Sequence, residues 1–242
     1  MHKRLLIIFG IIASVVLLAV LLYIVFAVGS VSVNTTNNIS LTPQQESDII
    51  ELSGIKGGNN IFAIDEDIAI QNIEISYPKL KVLSIERKFP NNVYIYVTDR
   101  TGVFSLKLAD GRFAVLDREF KVIDILFEND ETLCVLDGVA TDNVRTGYVL
   151  DNSSVLLTMM KGAEKCSFIN ARYYSFIRKT QVFENEIWLT TNTGVILCLP
   201  VSSNIDQSMI NAYGYYLQHL SPEGKTTGKI YLSEKGWDWQ NS

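Results

Sequence analysis

Residues 81–99, KVLSIERKFPNNVYIYVTD, decide the fold of the first part of this chain. The first half reads as a strand over Lys81–Phe89, with Leu83, Ile85, Arg87 and Phe89 alternating against Ser84, Glu86 and Lys88. The second half, Val93–Asp99, is a strand with Val93, Ile95 and Val97 on one face and Tyr94, Tyr96 and Thr98 on the other. Pro90-Asn91-Asn92 supplies the turn residues between them. A sheet with one aliphatic face needs something to cover that face, so helices are sought nearby.

They lie upstream. Thr42 is a good N-cap, Pro43 suits the first helical position, and Gln45 stands three residues after the cap, the spacing of a capping box. That helix is expected to end at Ser53-Gly54, with Ile49, Ile50 and Leu52 on its buried side. Gly57-Gly58-Asn59-Asn60 is a sharp loop, and a second helix begins at Asp65, where Asp65, Glu66 and Asp67 suit the unpaired N–H groups of a first turn. It stops before Tyr77-Pro78, because the residue ahead of a proline is disfavoured in the helical region. With a short strand at Val31-Ser32-Val33, the order is strand, helix, helix, strand, strand.

From Thr101 the texture becomes short strands with a turn about every ten residues. Strands are expected at 103–108, 112–116, 121–127, 132–136, 171–177, 187–191 and 195–199, with a final strand at 229–233 followed by a tail. Helices are expected at Ser154–Lys165 and Asp206–Leu220. The fold class is thus α+β: residues 29–99 as one domain, and residues 100–242 as a second, strand-rich domain with two helices.

Ahead of both lies a run of 24 uncharged residues, Leu5–Val28. At about 1.5 Å per residue it reaches roughly 36 Å as a helix, enough to cross a hydrocarbon core of about 30 Å. A secretory h-region is shorter, about 7–15 residues, so an uncleaved anchor is expected. Lys3 and Arg4 precede the run and no basic residue follows until Lys56, which by the positive-inside rule keeps residues 1–4 cytoplasmic and exports the remainder. The formal charge is −5, and −7 without Lys3 and Arg4, which argues against nucleic acid as a partner.

Catalytic chemistry finds little to stand on. Gly54-Ile55-Lys56-Gly57-Gly58 has the glycines of a phosphate loop but no following Gly-Lys-Ser/Thr. Of two histidines, His2 precedes the anchor and His219 falls at a helix end, so neither a histidine metal site nor a Cys–His pair is supported. The Asp65-Glu66-Asp67 run lacks EF-hand spacing. Cys134, Cys166 and Cys198 sit among apolar or strand-like neighbours and read as core residues. No catalytic residue, cofactor site or metal site is expected.

Residues 40–104 carry a resemblance. Gly54-Ile55, then Gly58-Asn59-Asn60-Ile61-Phe62, then Pro78, then Arg87-Lys88-Phe89-Pro90-Asn91-Asn92-Val93 and Asp99-Arg100 follow in the order and spacing of the POTRA domain of the FtsQ/DivIB bacterial cell-division family. The strand–helix–helix–strand–strand order is also the POTRA order. Downstream, residues 111–117, 187–194 and Gly228–Ser233 with Gly236-Trp237 resemble that family's β domain. The chain departs from the family at Thr101-Gly102, where a proline is usual, and at Tyr231-Leu232-Ser233, where Asp-apolar-Arg is usual.

The resemblance implies a non-enzymatic divisome scaffold at the septum. Its partners would be FtsL-type and DivIC/FtsB-type proteins outside the membrane, with the septal peptidoglycan synthase under its influence. Binding is expected by β-augmentation on the last strand, at Ile230, Tyr231, Leu232, Ser233, Gly236 and Trp237. A second surface is expected on the POTRA hairpin, at Arg87, Tyr94 and Tyr96. The competing class, an anchored extracytoplasmic sensor or ligand-binding module, would require an enclosed apolar pocket and a cytoplasmic output element.

Overall fold

A computed structural model describes residues 2–36, 39–150, 153–165 and 176–241. The chain divides into two compact units, Met1–Asp99 and Arg100–Ser242.

The first unit opens with helix α1, His2–Val25, whose side chains are described from Phe9 onward. Large apolar side chains stand exposed along it, including Phe9, Leu17 and Ile24. Among the described residues no helix is long and apolar enough to cross a membrane, and the run expected as a span over 5–28 is helical only to Val25. Strand β1, Ser30–Thr35, is followed by α2, Pro43–Leu52, and α3, Glu66–Ser76. The hairpin is β2, Leu80–Lys88, and β3, Asn92–Asp99, and the sheet order is β1-β3-β2 with β1 parallel to β3.

Both helix starts are set by the side chains the sequence singles out. The Thr42 hydroxyl accepts from Gln45 N–H while Gln45 accepts from Thr42 N–H, and the Asp65 carboxylate accepts from Ile68 N–H. Each such cap contributes about 1 kcal/mol to its helix. Val93, Ile95 and Val97 are fully buried against Ile49, Ala69 and Ile73 of the helices, forming one core.

Strand β2 corrects the simple alternation. The register shifts between Val82 and Ser84, which leaves Leu83 half exposed while Val82 and Ile85 both face the core. The extra residue is a β-bulge. The buried carboxylate of Glu74 on α3 accepts the Val82 N–H beside it.

Among the described residues the second unit is built on a nine-stranded sheet. Its strands are β4 Phe104–Lys107, β5 Phe113–Leu116, β6 Val122–Leu126, β7 Cys134–Asp137, β8 Ile177–Val182, β9 Glu186–Thr191, β10 Ile196–Pro200, β11 Lys229–Ser233 and β12 Gly236–Gln240. They lie in the order β12-β11-β10-β9-β8-β7-β4-β5-β6. Helices α4, Ser153–Lys165, and α5, Ile205–Tyr215, cover one face, packing Leu156, Met159, Met209 and Ala212 onto Leu136, Ile187, Leu189 and Leu197.

Three expectations shift here. The strand over 171–177 falls mostly on residues outside the described set, and the strand seen there is β8, which starts at Ile177. The helix over 206–220 is α5 only to Tyr215, after which Tyr216–Leu220 widens to a π turn. The residues after Ser233 are not a tail but the twelfth strand, and that change moves the edge of the sheet.

Candidate functional site

β11 and β12 are joined by the two residues Glu234-Lys235. The Ser233 hydroxyl holds that turn from both sides, donating to the Gly236 carbonyl at 2.8 Å and accepting from Lys235 N–H at 3.3 Å. The expectation that residues 229–233 are the exposed edge is therefore corrected, because β11 is paired on both sides, to β10 and to β12. The edge belongs to β12.

The predicted partner residues separate accordingly. Ile230 is fully buried in the core, and Leu232, about half exposed, shares its face. Opposite them across the hairpin stand Trp239 and Trp237, both partly buried against the same core. Tyr231 and Ser233 point the other way, with Asp238 and Gly236 opposite them. Only Gly236 and Trp237 of the predicted set lie on the edge strand itself.

The hairpin geometry fixes which backbone groups that edge presents. With a two-residue turn, Ser233 and Gly236 form a hydrogen-bonded pair and the pairs then alternate, so Trp237 and Trp239 direct their N–H and C=O away from β11. The Trp239 N–H is already met by its neighbour, donating to Asp238 Oδ1 at 2.8 Å. The Trp239 indole is fixed in turn, its Nε1 donating to the Thr227 carbonyl at 3.3 Å with Lys225 Nζ 5.1 Å from the ring.

Sequence reasoning passed over the neighbouring face of the sheet. Lys229 Nζ lies 3.8 Å from the Trp188 ring centroid, Trp188 Nε1 donates to Glu186 at 2.7 Å, and Phe183 packs on Trp188 at 4.7 Å. The signal was present in Ile187-Trp188-Leu189, since with Ile187 and Leu189 buried the intervening indole must face outward.

On the first unit the residues of the expected second surface lie on opposite faces of the sheet. Tyr94 lies opposite Glu86 and Ser32, and Tyr96 opposite Ser84 and Asn34, on the sheet face away from the helices. Arg87 pairs with Val93 and so lies on the helical face. There its Nη2 contacts Glu66 at 2.8 Å and donates to the Ile64 carbonyl at 3.1 Å, while its buried Nε has no hydrogen-bond partner. The two-residue period of β3 separates the tyrosines from Val93, and Arg87 follows Val93.

The nucleophilic side chains are poorly placed for chemistry. Cys134 and Cys198 are free and buried, and Cys166 lies outside the described residues. Burial pushes the Cys134 thiol up to about 12, and burial with the Glu186 charge pushes Cys198 up to about 11. Neither is a thiolate near neutrality. The His219 ring packs tilted against Tyr215, their centroids 4.7 Å apart. Among the described residues no group of three or more His, Cys, Asp or Glu could hold a metal ion.

Comparison with known proteins gives this arrangement a context. Residues 26–100 match the family model of the FtsQ-type POTRA domain. The cell division protein FtsQ of Corynebacterium glutamicum is 32% identical over 111 residues, covering 46% of this chain and 49% of that protein. The cell division protein DivIB of Clostridium acetobutylicum is 33% identical over 104 residues, 43% of this chain and 41% of that protein. DivIB of Clostridium tetani is 23% identical over 194 residues, 79% of this chain and 72% of that protein. The chain spans about half or less of the length of the first two relatives.

Proposed function

The chain belongs to the FtsQ/DivIB family of cell-division proteins by its POTRA domain, and from that premise we propose that it is a non-enzymatic scaffold of the divisome. It docks an extended partner segment on the outer edge of β12. The apolar helix that ends at Val25 anchors it at the division septum, with both folded units outside the membrane. FtsL-type and DivIC/FtsB-type proteins are the partners, and through them it helps regulate septal peptidoglycan synthesis.

The observation that carries the reading is that β12, which carries two tryptophans, pairs on one side alone among the described residues. Adding a strand there would use backbone hydrogen bonds for affinity and the flanking side chains for selection. Trp237 and Trp239 are the residue type that anchors interfaces. The exposed apolar surface of α1 supports the anchor, since bare Leu, Ile and Val side chains along a helix are stable in lipid and not in water.

The test is a photo-crosslinking residue placed at Gln240 on β12 and, separately, at Leu126 on β6, the opposite edge of the sheet. In dividing cells Gln240 should cross-link a FtsL-type or DivIC/FtsB-type protein and Leu126 should not. Cross-linking from β6 alone would assign the partner to the wrong edge. A fluorescent fusion that stays diffuse through division would count against the divisome role altogether.

A further inference from the structure

Where α1 meets the first folded unit, three phenylalanines from distant parts of the sequence close into one cluster. The ring centroids of Phe26 and Phe62 lie 5.1 Å apart, those of Phe62 and Phe89 5.3 Å, and those of Phe26 and Phe89 6.0 Å. Phe26 continues the last turn of α1, its N–H donating to the Leu22 carbonyl at 3.0 Å. Phe62 sits in the short 3-10 turn Ile61–Ala63, and Phe89 follows the end of β2.

The backbone leaves no slack between the helix and this cluster. Ile61 N–H donates to the Phe26 carbonyl at 3.0 Å, Val28 N–H to the Asn59 carbonyl at 2.7 Å, and Gly58 N–H to the Val28 carbonyl at 2.8 Å. Gly29 N–H donates to the Asn91 carbonyl at 2.7 Å, so the β2–β3 turn is tied to the same few residues. Both loops that carry the outer rings are thus fastened to the residues that leave α1.

The cluster does not hide its rings. Phe62 and Phe89 are each 58% exposed, and Ile68 on the first turns of α3 is 54% exposed. An apolar patch of this kind at the end of an apolar helix is what a bilayer interface accommodates, with aromatic and aliphatic side chains entering the boundary between headgroups and acyl chains. The exposed apolar surface of α1 runs from Phe9 to Val25 and leads directly into Phe26.

We propose that Phe26, Phe62 and Phe89 form a lipid-contacting patch that seats the first unit on the membrane surface and fixes its height and tilt there. The nearby charges define the contact as apolar. Asp65, Glu66 and Asp67 follow the cluster closely, Glu66 engages Arg87, and Lys88 lies 3.6 Å from Glu86, so no cationic excess recruits anionic headgroups. The patch rests on the reading of α1 as a membrane span and adds to it that the folded domain itself touches lipid.

The experiment uses the full chain in phosphatidylcholine vesicles whose acyl chains carry bromine, a contact quencher of indole fluorescence. Phe62→Trp and Phe89→Trp are compared with Leu17→Trp inside α1 and with Leu83→Trp on β2. Leu83 is six residues from Phe89, about 20 Å along an extended chain. The emission added to that of the three native tryptophans should be lost in the brominated lipid for Phe62→Trp, Phe89→Trp and Leu17→Trp, and kept for Leu83→Trp.

Loss at Leu17→Trp alone would overturn the patch while leaving the span standing. Equal loss at Leu83→Trp would also overturn it, since the contact would then not be local to the cluster. Retained emission at all four positions would remove the span and the patch together.

Discussion

Gly228 lies directly beneath the indole of Trp239. Its φ is +104°, and a Cβ added there would strike Trp239 Nε1 and come within 2.6 Å of the Gln240 carbonyl oxygen. The residue just ahead of β11 is therefore also the floor on which β12 rests. No side chain fits in that space, and few residues tolerate that φ.

Gly228→Ala should accordingly loosen β12 from β11. The backbone strain alone costs about 1–3 kcal/mol, and the collision adds to it. Expected are a red shift of the Trp237 and Trp239 emission, faster amide exchange confined to residues 229–241, and weaker partner pull-down, with exchange in the first unit unchanged. Full pull-down despite a detached β12 would show that the partner binds elsewhere.

Arg100 secures the start of the second unit through Asp117. Its Nη1 engages Asp117 and contacts Glu119 at 2.8 Å, and the Asp117 carboxylate also accepts from the N–H groups of Glu119 and Lys121 at 2.9 Å each. The Arg100 and Asp117 side chains are 4% and 7% exposed. Removing one partner of a buried pair strands the other, which costs about 3–5 kcal/mol. Arg100→Met should lower the urea midpoint read from tryptophan emission, because Trp188, Trp237 and Trp239 are all in this unit.

Arg87 and the two tyrosines should behave as different kinds of residue. Arg87→Ala removes a partly exposed ion pair and a hydrogen bond to backbone, lowering first-unit stability by about 1–2 kcal/mol. The pair Tyr94→Ser and Tyr96→Ser loses only cross-strand contacts on the face away from the helices, each worth about 0.2–1 kcal/mol. Circular dichroism should show both variants folded at low temperature, with the arginine variant melting earlier. Collapse of the tyrosine variant instead would mean that those rings hold the sheet together.

The two described cysteines should resist alkylation in the native protein. At pH 8, iodoacetamide followed by peptide mapping should leave Cys134 and Cys198 unmodified until urea is added. A thiol raised to about 12 or 11 keeps its proton in the folded state while the unfolded chain releases it near the ordinary value of about 9. The unfolded state then binds fewer protons, so stability is flat below that value and falls as pH climbs from about 9 toward 11–12. Rapid native labelling of Cys134 would contradict its burial.

Local chemistry made much of the first unit legible. Thr42, Pro43 and Gln45 declare a helix start whatever surrounds them, and so does Asp65, because capping is an interaction between residues a few positions apart. The bulge at Leu83 was not legible. It depends on Glu74 reaching Val82 N–H across eight residues, which no period reveals. Arg87 lies where its strand period places it, on the face of Ile85, and what it touches there is the start of a helix, which no strand pattern reveals.

The terminal edge was half legible. Trp237-Asp238-Trp239 has the two-residue period of a strand, and Glu234-Lys235-Gly236 has the makings of a turn, yet so short a segment gains its order only by pairing with β11. The aromatic cluster at the end of α1 was beyond sequence reading, since it joins positions 26, 62 and 89 through loop hydrogen bonds.

The Asp238 carboxylate that holds Trp239 N–H has a counterpart at the far side of the sheet, where Asp124 on β6 accepts from Ile125 N–H at 2.9 Å. Each rim of the sheet thus carries its own acidic gatekeeper, a charge beside the very donor an intruding chain would seek. In the proposed docking mode an arriving strand would have to displace the Asp238 carboxylate from that donor and offer it a cation or a new donor.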